Sequence, residues 1–120
     1  MPSFNIFDRD ANVRSYEPGV TIFELNDAGD EMFVVLEGEV ELSRSGHLLE
    51  TVTRGGMFGE MALLDREPRT TTATTKTAVR AVPVTQQRFL YLVQNTPFFA
   101  VEVMQTLAKR LRTTDARLDA

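Results

Sequence analysis

The sequence predicts a mainly β domain followed by two helices, and three observations support this prediction. All seven glycines fall between Gly19 and Gly59, so the turn-rich part of the chain is its first half. Short apolar stretches in that half are separated by turn residues about every eight to ten positions, which is typical of a β-sandwich or barrel. Beyond Pro83 the apolar residues follow the helical period of about 3.6 residues.

About eight strands are expected, and the last of them should end near Pro83. The apolar stretches that predict strands are residues 20–23, 32–36, 40–42, 48–52 and 79–82. Residues 70–76 add a further strand, because this segment is rich in threonine, a β-branched residue that favours extended backbone. We therefore expect one domain over residues 1–120, with its β part at about 12–84 and its terminal helices at about 85–118.

Two helices are predicted after the last strand. Thr85 is a suitable N-cap for a helix over residues 86–94, with Phe89, Leu90 and Val93 on one face. The sequence Asn-Thr-Pro at 95–97 ends that helix. Thr96 as N-cap and Pro97 at the first helical position then start a second helix over about residues 98–118.

The second helix has a regular apolar seam. Its members are spaced alternately by four and three positions, as at the a and d positions of a coiled coil: Ala100, Met104, Leu107, Leu111, Thr114 and Leu118. Such a seam can pack against the β part of its own chain or against a second copy. Both interpretations stay open from the sequence, so a homodimer through residues 98–118 is one of two alternatives.

The composition of the 120 residues excludes several classes of protein. Without cysteine there is no disulfide framework, no thiolate nucleophile and no cysteine zinc site. The single histidine, His47, cannot form a metal site of the cupin type, and it follows a Ser-Gly turn where we expect it to be exposed. These counts predict a protein that is not an enzyme, with no metal and no cofactor.

Charge and hydropathy narrow the choice of partners and of compartment. The net charge of −4 argues against a dedicated nucleic-acid binder, which usually has a basic face. The apolar runs are far shorter than a membrane span. Residues 1–7 lack the basic flank and apolar stretch of a signal peptide. We expect a cytoplasmic protein without membrane contact, in keeping with the absence of cysteine.

Residues 55–73, GGMFGEMALLDREPRTTTA, contain the features that predict a ligand. The glycines let the backbone turn and approach a bound molecule closely. One helical turn follows, and its first backbone N–H groups favour an anion; the residues concerned are Gly59, Glu60, Met61 and Ala62. Arg69, held next to Pro68, is placed to complete an anion site with a bidentate contact.

Glu60 is the unusual member of this segment, because a carboxylate is repelled by a phosphate. A carboxylate is nevertheless favourable where neutral hydroxyl groups donate hydrogen bonds to it. A ribose hydroxyl beside a cyclic phosphate is such a donor. The combination of an anion cradle with a hydroxyl acceptor therefore points to a nucleotide, and specifically to a small phosphodiester.

The segment resembles the phosphate-binding cassette of cyclic nucleotide-binding domains. That pattern is Phe-Gly-Glu-(aliphatic)-Ala-Leu, a short variable stretch and Pro-Arg-x-(Ala/Thr)-Thr, and residues 58–63 and 68–72 match it in order and spacing. The resemblance extends to Gly29-Asp30 and residues 32–39. It implies an eight-stranded jelly-roll-like β-roll with a short N-terminal helix, a cassette helix and two C-terminal helices.

The same resemblance implies roles for individual residues. Glu60 would accept from the ribose 2′-hydroxyl and Arg69 would hold the cyclic phosphate, assisted by the backbone amides of residues 59–62. Thr70 matches a position whose hydroxyl reaches the phosphate or the base in binders of cyclic AMP and of cyclic GMP alike. Asn26 stands where the family often has glycine, and asparagine tolerates the left-handed backbone conformation.

The last helix resembles that of the catabolite activator protein group. Residues 108–115, AKRLRTTD, are similar to Ala-Arg-Arg-Leu-Gln-Val-Thr-Ser of that group, in which the threonine touches adenine. The resemblance places Thr114 at the base and favours cyclic AMP over cyclic GMP, with a polar register-setting role for Thr114 as the alternative. Asp115 replaces the serine of that group, so a contact by a serine hydroxyl across subunits is not expected.

Two functions remain from the sequence. One is a cyclic nucleotide sensor that repositions its C-terminal helices and acts on an unidentified effector protein. The other is a degenerate member of the same fold that binds a protein without nucleotide. Because the sequence ends at Ala120, no helix-turn-helix and no contact with nucleic acid are expected. The basic residues of the last helix, which include Arg110, are interpreted as a face that is exposed to solvent.

Overall fold

The computed structural model describes residues 5–119, and for residues 5 and 115–119 it describes the backbone alone. A single 3₁₀ turn, Asn5–Phe7, stands at the N-terminal end, where a short helix was predicted. The strands are β1 (Arg14–Tyr16), β2 (Thr21–Phe23), β3 (Glu31–Glu37), β4 (Val40–Arg44), β5 (His47–Val52), β6 (Met57–Phe58), β7 (Thr72–Thr75) and β8 (Val79–Thr85). The α-helices are α1 (Glu60–Asp65), α2 (Gln86–Asn95) and α3 (Pro97–Asp119).

The strands form two four-stranded antiparallel sheets, in the orders β1-β8-β3-β6 and β2-β7-β4-β5. Strands that are distant in sequence are neighbours in space, as in a jelly roll. The predicted mainly β fold, an eight-stranded β-roll with a cassette helix and two C-terminal helices, is therefore confirmed.

Strand β3 separates two parts of the hydrophobic core. Phe33 and Val35 face the space between the sheets, where the rings of Phe33 and Phe58 stack with their centres 5.1 Å apart. Met32 and Val34 face the opposite side and pack among residues of the helices. A strand that is covered on both faces has a continuous apolar run rather than an alternating one, as residues 32–36 do.

The two C-terminal helices begin and end close to the predicted residues. The Thr85 hydroxyl accepts a hydrogen bond from the backbone N–H of Arg88, 3.3 Å away, which confirms the N-cap of α2. The prediction that Leu90 belongs to the buried face is wrong, since its side chain is 57% exposed and Leu92 is buried instead. Within residues 5–119 no helix has the length and apolarity that would allow it to cross a membrane.

The predicted seam of α3 is divided between two environments. Leu107 packs against the core, whereas Met104 and Leu111 are exposed. Phe99 and Val103 of α3 are buried in the core instead. The helix is therefore rotated about its own axis relative to the orientation that the predicted seam implies. The exposed face therefore has its own row of apolar side chains, which we call the α3 stripe: Phe98, Val101, Met104 and Leu111. The side chain of Leu118 lies outside the described part of the chain.

Candidate functional site

The candidate site begins where β6 passes into α1. Gly59 links them with a left-handed backbone, φ +81°, which a residue with a side chain adopts only with strain. A Cβ atom at this position would also lie 2.8 Å from Nη1 of Arg69. Glu60 follows as the first residue of α1 and is 3% exposed. The glycine is thus required both by the turn and by the close approach of an arginine.

Arg69 lies inside the roll and not on its surface. Its side chain is 5% exposed, and its guanidinium carbon is 4.2 Å from the centre of the Phe23 ring. Nη1 donates a hydrogen bond to the carbonyl oxygen of Gly59 at 3.0 Å. The backbone is fixed as well, since the N–H of Arg69 donates to the carbonyl of Asp27 and its carbonyl accepts from Asn26. Asn26 has the expected left-handed conformation, φ 74°.

The charge of Arg69 is not neutralised by a direct partner. Burial lowers its pKa, and the nearby carboxylates of Glu31 and Asp30 oppose that shift from a distance. Among the described residues, no carboxylate forms an ion pair with Arg69, and its buried Nε has no hydrogen-bond partner. A buried charge without a counter-ion is costly, so an anion placed beside this guanidinium would be bound favourably.

Arg110 of α3 is a site residue that the sequence interpretation missed. Its Nη1 donates to Oε1 of Glu60 at 2.6 Å, and its Nη2 donates to the carbonyl of Met57 at 2.6 Å. Two further hydrogen bonds reach the carboxylate of Glu50 in β5. Burial lowers the pKa of Arg110, but the hydrogen bond with Glu50 and the charge of Glu60 outweigh it, so that the pKa is raised.

A sequence signal for Arg110 did exist. It follows the buried residues Phe99 and Val103 at helical spacing, and so belongs to the face of α3 that turns towards the roll. The interpretation of the basic residues of α3 as one solvated face is therefore wrong for Arg110, whose side chain is 22% exposed.

The predicted site residues are not all in one place. Gly59, Glu60 and Arg69 come together, and Ala62 is buried in α1. Met61 and Thr70 are exposed neighbours of this group in the chain. Thr114 is exposed and donates its hydroxyl hydrogen to the backbone carbonyl of Arg110 in its own helix. The side chain of Asp115 lies outside the described residues.

The described side chains include no group of three or more histidine, aspartate or glutamate residues that could hold a metal ion. His47 stands exposed at the start of β5, as expected.

Comparison with known proteins agrees with this geometry. The sequence pattern described as "Cyclic nucleotide-binding domain" matches residues 13–96, which is well over half of the chain. The chain belongs to the cyclic nucleotide-binding domain family. The matched range includes Gly59, Glu60 and Arg69 and ends just before α3, so Arg110 lies beyond the part that defines the family here.

Regulators of transcription are among the curated relatives of this cyclic nucleotide-binding domain. The "CRP-like cAMP-activated global transcriptional regulator" of Mycobacterium tuberculosis is 32% identical over 105 residues, covering 83% of this chain and 47% of the relative. The "Cyclic AMP receptor protein" of Thermus thermophilus is 33% identical over 112 residues, covering 88% and 51%. The chain thus spans about half the length of these relatives.

The fold is likewise that of a solved member of the group. The catabolite activator protein of Thermus thermophilus superposes with a TM-score of 0.79 at 31% identity, over 89% of this chain and 53% of the other. The resemblance stated from the sequence is therefore confirmed at the level of family and fold.

Proposed function

We propose that this domain is a regulatory module that binds cyclic AMP in preference to cyclic GMP, and that it catalyses no reaction. The observation that supports this most directly is the buried guanidinium of Arg69, whose Nε has no hydrogen-bond partner among the described residues. A cyclic phosphate supplies the acceptor and the negative charge that this group needs. The names of the relatives, which mention cyclic AMP, favour the adenine nucleotide.

The phosphate would lie between Arg69 and the first turn of α1. The amides of Gly59, Glu60, Met61 and Ala62 would donate to its oxygens, assisted by the exposed hydroxyl of Thr70. Phe23 keeps water from one face of the guanidinium, which strengthens the attraction between the two charges. The phosphate contact is thus proposed as the main source of affinity.

Glu60 would accept a hydrogen bond from the ribose 2′-hydroxyl. Its Oε1 already accepts from Arg110, which leaves Oε2 for the ligand. Arg110 also balances the charge of Glu60, so that the carboxylate repels the nearby phosphate less. This arrangement resolves the difficulty of having a glutamate beside an anion.

The response would be a change in the position of the C-terminal helices. Arg110 joins α3 directly to Glu60, so a nucleotide that contacts Glu60 acts on the residue that holds α3. Thr114 lies one helical turn beyond Arg110 and would reach the base when α3 closes over it. The ligand can shift such an equilibrium only by its difference in affinity for the two positions. An effector protein would recognise the new position of α3.

The α3 stripe supports a homodimer as the state in which this module works. Its residues are exposed and lie three, three and seven positions apart, so that they share one side of α3. A role as a protein-binding module without nucleotide remains the alternative function. It gives no reason for a buried arginine whose Nε lacks an acceptor.

Calorimetric titration of cyclic AMP and cyclic GMP into three proteins tests the proposal. The Arg69→Ala variant should bind cyclic AMP more weakly by at least about 3 kcal/mol, as expected when one partner of a buried charge pair is truncated. Arg80→Ala is the matched control, since Arg80 forms an exposed ion pair with Glu37 outside the site. Equal affinities of all three proteins, or no binding by any, would reject the sensor and favour the protein-binding alternative.

A further inference from the structure

Glu50 presents a charged side chain on the inner face of an edge strand. In the pairing of β4 with β5, Glu50 lies directly opposite Leu42, which is buried between the sheets. Directly opposite residues share a face of the sheet, so Glu50 points to the same side as Leu42. The register shifts immediately afterwards, where Ser43 faces Leu48. β5 is the edge strand of its sheet. An inward-pointing carboxylate on such a strand either protects the edge from pairing with another chain or binds a specific partner.

The partner is Arg110, and the contact is a two-point one. Nε of Arg110 donates to Oε1 of Glu50 at 2.8 Å, and Nη2 donates to Oε2 at 3.1 Å. A paired contact of this kind fixes the plane of the guanidinium as well as its position. In the same arrangement, Nη1 of Arg110 donates to Glu60, and Nη2 also donates to the carbonyl of Met57.

We propose that Glu50 is a positioning residue for nucleotide recognition, which acts through Arg110 on the carboxylate of Glu60. Glu50 touches no ligand in this account. It orients the guanidinium so that Arg110 meets only Oε1 of Glu60 and the other oxygen is directed to the ribose hydroxyl. The inference rests on the proposed function, because it assigns a determinant of the same site.

The burial of the three groups distinguishes this cluster from a surface ion pair. Glu60 is almost completely buried, Arg110 is largely covered, and Glu50 is 40% exposed. Glu50 is thus the outer member, and its contact holds an arginine whose other contacts lie inside the site. Because Glu50 itself is partly exposed to water, its own pairing with Arg110 should contribute little to stability, and its main effect should appear in recognition of the ribose.

The experiment compares cyclic AMP with 2′-deoxy cyclic AMP, which lacks the hydroxyl that Glu60 would bind. Glu50→Gln removes the charge and the two-point contact at nearly constant shape. We expect the preference of the wild type for cyclic AMP over the deoxy nucleotide to fall about fivefold to tenfold, as for a weakened hydrogen bond to a charged group. Binding of the deoxy nucleotide itself should change less than about twofold, which also shows that the variant is folded.

Glu37→Gln is the matched control, because it removes an exposed glutamate that pairs with Arg80 on another strand. If Glu50 acts through Arg110, its substitution should have no effect once Arg110 is gone. The double variant Arg110→Met, Glu50→Gln should therefore show the same preference for cyclic AMP over the deoxy nucleotide as Arg110→Met alone. A preference in Glu50→Gln equal to that of the wild type would overturn the inference while leaving the proposed function intact. Equal losses for both nucleotides would also overturn it, since they would indicate a general structural role. Absence of cyclic nucleotide binding in the wild type would overturn both.

Discussion

Gly29 packs so closely against Arg69 that a Cβ atom at position 29 would lie 2.1 Å from Nε. This glycine is needed for space and not for its backbone conformation. The guanidinium also contacts the ring of Phe23, whose centre is 4.2 Å from the guanidinium carbon. The position of the arginine is thus determined by two residues that come long before it in the sequence.

We predict that Gly29→Ala displaces Arg69 and weakens cyclic AMP binding by about tenfold or more, which corresponds to at least about 1.4 kcal/mol. Calorimetric titration measures the effect. Gly46→Ala is the control, because a Cβ at Gly46 meets no atom within 4 Å although its φ of +81° makes the substitution strained. The control should lose some stability but bind as the wild type does. Normal affinity in Gly29→Ala would show that the observed place of Arg69 is not the one used in binding.

The N-terminal segment gives a prediction about pH. A hydrogen bond from Arg88 lowers the pKa of Asp10, although burial opposes the shift. A carboxyl whose pKa is lower in the folded state stabilises the fold above its unfolded pKa of about 3.9. That contribution is lost as the pH falls through the folded value.

We therefore expect the wild type to lose more stability than Asp10→Asn when the pH is lowered from 6 to about 2, by roughly 1 kcal/mol. Urea unfolding at each pH measures the difference. Asp8→Asn, at an exposed neighbouring position, is the control and should follow the wild type. Parallel curves for the wild type and Asp10→Asn would show that the pair with Arg88 contributes nothing.

The α3 stripe gives a prediction about assembly. Met104→Glu places a charge in the middle of the exposed apolar row and should convert a dimer into a monomer, because burying an unpaired carboxylate is unfavourable. Sedimentation equilibrium with and without cyclic AMP measures the mass. Gln94→Glu on the exposed part of α2 is the charge-matched control. A wild type that is monomeric under both conditions would remove the homodimer from the account.

The strands and helices could be predicted from the sequence because their signals are local. Thr85 caps α2 as its position suggests, and the unbroken apolar run of β3 reflects a strand covered on both faces. The error at Leu90 has a simple cause. Three apolar residues in a short helix are compatible with more than one inward face, and only the packing of α2 on the roll selects Leu92.

The candidate site could be predicted in part. Glu60 and Arg69 lie in one short segment, so their association is visible in the sequence. Glu50 and Arg110 are separated by 60 positions, and their contact depends on how α3 lies across the roll. No local pattern contains that information. The α3 seam was divided for the same reason, since the roll and not the helix decides which residues are covered.

We propose above that the buried guanidinium of Arg69 receives the phosphate of a cyclic nucleotide. The most direct measurement is the NMR resonance of its Nε–H group during titration with cyclic AMP, with adenosine as the control that lacks a phosphate. Cyclic AMP should shift this resonance and slow its exchange with water, because Nε gains an acceptor, whereas adenosine should leave it unchanged. An Nε–H resonance that stays the same at saturating cyclic AMP would contradict the account.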